Sequence, residues 1–220
     1  MSDRALGQGG MPLVLSGVAF ALFMLLHPYD QLAGVHGPDS ATWIPSHTFH
    51  FVGALLALFG LLEVRERWLA HASTVTKLAF GAAFIGTAMF VGTGMITAFL
   101  WPAIADHAAS FVAEDGPMFT DTLAAGAITV TYIFLAVGYV ALAVALRRSH
   151  FISLVDTVLI VAGVLLFSAP VAPLGPAPWF LRVAGGIVFG AGLTRLGLVL
   201  RSDAHAVTRG ERHATASRTS

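Results

Sequence analysis

The chain has 220 residues, of which 56% are apolar and only 11% charged, with 12 Lys and Arg against 12 Asp and Glu, and no cysteine. A soluble domain carries roughly 25% charged residues, so this composition excludes an ordinary soluble fold. The missing cysteines exclude disulfides, thiolate metal sites and cysteine nucleophiles.

Six apolar segments follow one another, each near the ~20 residues that cross a ~30 Å hydrocarbon core. The first, 11–27, resembles a signal peptide, but no small-residue cleavage site follows it. It ends in His27-Pro28-Tyr29-Asp30 and is read as a helix. A Pro- and Gly-rich loop over 28–44 precedes the second segment, 45–64, whose Pro45 suits a first helical turn. The third, 75–101, is Gly-rich and ends at Trp101-Pro102, and 102–117 reads as a loop. The fourth spans 118–146, the fifth 151–169 and the sixth 179–200, with the Pro-rich loop 170–178 before the last. The tail 201–220 lacks apolar periodicity and reads as disordered.

The basic residues set an orientation, because positively charged loops stay cytoplasmic. Arg4, Arg65, Arg67, Lys77, Arg147, Arg148, Arg195 and the four arginines of the tail all fall on one side. The loops 28–44, 102–117 and 170–178 carry none; the first two carry Asp30, Asp39, Asp106, Glu114 and Asp115 instead. The expectation is an all-α integral membrane protein, a bundle of about six transmembrane helices in the cell membrane with both termini cytoplasmic.

Of the nine histidines, His71, His150, His205 and His213 fall on the basic side and read as solvated surface. His27, His36, His47, His50 and His107 fall on the other. His47 and His50, three residues apart, share a helix face, which continues through Gly53, Ala54, Ala57 and Gly60. Such small residues admit either another helix or a flat ligand. Convergence of His27, His47, His50 and His107, with Asp106 beside the last, would offer imidazole and carboxylate ligands to a metal or haem. Arg182, the lone basic residue of that side, is expected to pair with Asp121 or to hold an anion such as a haem propionate. Thr129, Tyr132 and Tyr139 on the fourth segment, and Gly86, Thr93, Gly94 and Thr97 on the third, read as interhelical packing or as a polar lining.

The sequence thus points to a multi-pass protein whose outward His/Asp cluster binds haem b or a transition metal ion and exchanges electrons with another membrane or external protein. The alternative is a non-catalytic assembly subunit or small-solute permease with structural or pH-sensing histidines. A lipid-directed metallohydrolase ranks third, since no HExxH spacing is present. Beyond the lipid bilayer and a protein partner, no nucleic acid is expected. Midplane charges of the kind that serve ion-coupled transport are absent from the sequence.

Overall fold

The computed structural model describes residues 9–27, 41–69, 72–112, 116–169 and 176–216. His36, His71, Asp30, Asp39, Glu114 and Asp115 lie outside the described residues. Among the described residues there is no strand. The helices are α1 (Met11–Leu26), α2 (Trp43–Trp68), α3 (Thr74–Met95), α4 (Trp101–Val112), the single turn α5 (Pro117–Thr120), α6 (Thr122–Arg148), α7 (Leu154–Ser168) and α8 (Pro176–Ala216). A π-helical turn, Ile96–Leu100, joins α3 to α4.

The six longer helices α1, α2, α3, α6, α7 and α8 form a closed ring. α1 packs on α2, α2 on α3, α3 on α6, α6 on α7, α7 on α8, and α8 returns to α1. Glycine makes these approaches close. A Cβ on Gly17 of α1 would stand 2.2 Å from the Gly190 carbonyl of α8, and one on Gly86 of α3 would stand 2.5 Å from the Leu135 nitrogen of α6. Backbones therefore touch along both seams, as small residues allow between membrane helices.

Large apolar side chains such as Leu15, Val18, Ile85, Phe99, Ile133, Val137, Leu165 and Leu198 face outward. A water-soluble protein rarely exposes so continuous an apolar surface. Four stretches are long and apolar enough to cross a membrane: Trp43–Trp68, Thr74–Phe111, Ala125–Arg148 and Phe180–Ser202. α1 and α7 are shorter apolar helices. The chain has the build of a multi-pass membrane protein.

Ring closure sorts the side chains between two ends. At one end Arg67 of α2 donates to the Leu200 carbonyl of α8, and the Trp68 indole donates to Ser149 Oγ at 2.9 Å. Ser153 and Asp156 form a capping box that starts α7, and Asp156, 1% exposed, is also bound by Arg195. The capping box places the start of α7 at Leu154 rather than at residue 151. At the opposite end lie His27, the first turns of α2, the π-turn and Arg182. These are the basic end and the histidine end below.

Other boundaries also differ from the sequence reading. The third segment does not stop at Trp101-Pro102: the helix runs on past Pro102 as far as Ala108, whose non-helical backbone (φ −149°, ψ 60°) breaks it before a last turn to Val112, so 102–107 is not loop. A proline ring clashes with the carbonyl four residues back. Here the π-turn widens that stretch of helix, with Trp101 N–H bonded to the Ile96 carbonyl, so the chain passes the proline still helical. The fourth segment starts late, because Asp121 is extended and its side chain accepts from the Leu123 N–H at 2.9 Å. The last helix runs on past Leu200 to Ala216, through a segment expected to be disordered. Alanine, arginine and glutamate are good helix formers even where an apolar face is missing.

Candidate functional site

The histidine end is built from rings. Trp43 opens α2 and its indole N–H donates to the Thr97 carbonyl at 2.8 Å, tying α2 to the π-turn. One helical turn on, His47 stacks on Trp43 with centroids 4.1 Å apart. His47 Nδ1 sits 2.9 Å from the Trp43 carbonyl and 3.3 Å from Ser46 Oγ, so the backbone fixes its orientation. Its neighbours across the seam come from α1: His27 at 4.9 Å and Phe23 at 5.6 Å between centroids.

His50 lies one turn deeper, 3% exposed. Phe23 stacks against its ring at 4.8 Å, and Phe90 of α3 lies 4.0 Å away. Gly94 of α3 leaves room for the ring, since a Cβ there would stand 3.2 Å from His50 Cδ2. Neither Nδ1 nor Nε2 of His50 has a hydrogen-bond partner among the described residues. The Phe90 carbonyl lies near the ring, outside hydrogen-bonding geometry. Buried polar groups nearly always find partners, and leaving one unpaired costs about 1–3 kcal/mol. His50 therefore stands out from the rest of the core.

The ring train continues inward. Phe90 meets Tyr132 of α6 at 5.9 Å and Phe167 of α7 at 5.6 Å. Over both lies Arg182 of α8, its guanidinium carbon 4.8 Å from the Tyr132 centroid and 5.5 Å from that of Phe167. Arg182 also donates to the Tyr132 hydroxyl. Each of the six ring helices thus contributes a side chain to one aromatic centre carrying two nitrogenous groups, imidazole and guanidinium.

The expected cluster assembles in part. His27, His47 and His50 come together, whereas His107 and Asp106 stand exposed on α4, outside the ring train. The helical continuation past Pro102 is the reason, since it carries both residues away along α4 instead of folding them back as a loop. Arg182 does not pair with Asp121; the Tyr132 hydroxyl and two ring faces hold it instead. The small-residue face of α2 is filled by α1. Gly53 rests against Ala19 and Phe20, and Gly60 against Leu13, so a helix and not a flat ligand occupies it. Among the described residues no group of three His, Cys, Asp or Glu side chains is placed to share a metal ion. Of the polar residues on α3 and α6, Thr93, Thr97 and Thr129 bond back to their own helices. The interhelical bond is between Tyr139 and Thr87, a residue that the sequence reading passed over.

Sequence reasoning also missed Phe23, Phe90 and Phe167, the walls of the centre. Their only signal is an apolar residue among many, and nothing in the pattern separates a wall from ordinary core. The chain matches no known protein-family model, no curated protein and no solved structure.

Proposed function

We propose that this protein is a multi-pass membrane protein that binds a small solute at its histidine end, in the manner of a permease or a solute-binding membrane subunit. The six ring helices cross the bilayer, with the basic end in the cytoplasm and the histidine end outward. Haem or metal binding is the weaker reading, because the imidazoles pack against aromatic faces and the expected carboxylate and fourth histidine stand apart.

One observation carries the solute reading: His50 is buried, and neither ring nitrogen is hydrogen-bonded among the described residues. A group kept at such a cost is explained if a ligand meets it. Ser46 Oγ lies beside His47 Nδ1, but that nitrogen donates to the Trp43 carbonyl and so cannot take the hydroxyl proton; the described residues favour binding over catalysis.

The test is a thermal-shift panel of small anions, neutral solutes and cations on the full chain in nanodiscs, run on the wild type and on His50→Phe. The reading expects at least one class to stabilise the wild type and not the variant. A wild type indifferent to every class, and a purified protein carrying Soret absorption or stoichiometric metal, would contradict it. The orientation is tested separately. The chain has no cysteine, so Ala109→Cys should react with an impermeant maleimide from outside intact cells and Ser149→Cys should not.

A further inference from the structure

We infer that the basic end holds the phosphate of an anionic phospholipid in a groove on the outer face of α8, with Arg195 as the recognising side chain. The inference needs only that the ring helices sit in a bilayer, and it is independent of the solute site.

The groove is a cavity of about 240 Å³ lined by Arg195, Leu198, Val199 and Ser202. That is several times the ~30 Å³ that one water occupies in the liquid, so a phosphate group has room. The four residues recur at helical spacing and share one face of α8. The other faces of this stretch are taken: Gly197 lies against Gly10 and Val14 at the start of α1, and Leu196 and Leu200 are buried in the core. Leu198 is half-exposed, so the groove opens outward, where acyl chains lie in a bilayer.

Arg195 is held ready as a donor. Its Nε donates to Asp156 Oδ1, while Asp156 Oδ2 accepts from the Ser153 N–H at 2.9 Å and the Ser153 hydroxyl at 2.6 Å. Both carboxylate oxygens are thus committed, and the carboxylate itself is buried. A bond through Nε leaves Nη1 and Nη2 with their N–H groups uncommitted, on a side chain that is 50% exposed. Those donors match phosphate oxygens in a two-pronged contact. Because Asp156 already fixes the guanidinium, binding orders little further side-chain freedom.

Charge points the same way. Asp156 lies on the first turn of α7, where the helix N-terminus adds partial positive charge. Together with Arg195 it outweighs the one carboxylate, and the exposed Arg147 and Arg148 add to the positive field of the same end. Basic pockets between membrane helices on the cytoplasmic side bind anionic head groups in this way. Ser202 Oγ donates to the Val199 carbonyl at 2.8 Å, so its oxygen faces the groove as an acceptor. A headgroup that joins a phosphate to a free hydroxyl, as phosphatidylglycerol does, satisfies both sides.

The probes are phosphatidylglycerol, zwitterionic phosphatidylcholine and soluble glycerol 3-phosphate, each titrated into the full chain in neutral detergent and counted by native mass spectrometry. Phosphatidylglycerol is expected to bind about tenfold more tightly than phosphatidylcholine, with glycerol 3-phosphate weaker than either. Arg195→Gln should abolish that preference, and Arg195→Lys, which keeps the charge and loses the fork, should retain part of it. Ser202→Glu leaves the ion pair in place and puts a negative charge in the groove. It should also abolish the preference, and it decides the matter if Arg195→Gln does not fold. Arg148→Gln should leave the preference unchanged. Equal binding of the two lipids by the wild type, or a preference kept in Ser202→Glu, would overturn the inference. So would an equal loss in Arg148→Gln, which marks diffuse attraction, or glycerol 3-phosphate binding as tightly as the lipid, which marks a soluble phosphate.

Discussion

Arg182 of α8 reaches past Phe167 of α7 to donate to the hydroxyl of Tyr132 on α6, and the same ring receives its guanidinium at 4.8 Å from the centroid. The two helices are not neighbours in the ring, so this contact spans the bundle interior. Tyr132→Phe keeps the ring face and deletes the acceptor. A hydrogen bond involving a charged group contributes about 1.5–3 kcal/mol. The variant should lose stability in that range in denaturant unfolding of the reconstituted protein, while Thr129→Val, on the exposed face of the same helix, should change little.

The seams make a sharper contrast. Gly17 and Gly190 bring α1 and α8 into backbone contact, and a side chain at either would overlap a carbonyl. Gly17→Val should therefore cost about 3 kcal/mol by overpacking or prevent closure of the ring. Gly81 of α3 has no atom within 4 Å of the position a Cβ would take. Gly81→Ala should be neutral or mildly stabilising, because alanine is the better helix former. The comparison is read by thermal unfolding of the two variants beside the wild type.

At the basic end α6 finishes in a Schellman turn, with Phe151 N–H bonded to the Leu146 carbonyl and His150 N–H to the Arg147 carbonyl. His150 occupies the left-handed position with φ 58°. Glycine takes that conformation without the side-chain penalty. His150→Gly should raise stability by about 0.5–1 kcal/mol and leave solute binding unchanged. A fall in stability would show that the imidazole itself makes a contact of value there.

The features legible in the sequence were those that depend on one helix at a time. Apolar run length gave the helices, and the placement of Lys and Arg gave the separation into two ends, as Arg67 and Arg195 at one end and Arg182 at the other show. The shared face of His47 and His50 followed from their spacing. The features that were not legible depend on partners. Pro102 reads as a helix stop, and only the π-turn before it lets the helix pass. The face through Gly53 and Gly60 was open to a helix or a ligand, and the α1 side chains Leu13, Ala19 and Phe20 decide between them. The pairing of Arg182 with Tyr132 rather than Asp121 is a consequence of ring order, which no local pattern encodes.

His50 carries the central claim, that a buried imidazole is kept unpaired for a ligand. His50→Phe retains a flat ring between Phe23 and Phe90 and removes both unpaired nitrogens. The decisive measurement is the unfolding free energy of this variant beside the wild type, both reconstituted without added solute. The account predicts a gain of about 1 kcal/mol or more, the cost of the unsatisfied group being relieved. A loss of similar size would mean that the nitrogens of His50 support the fold, and the account would then be wrong.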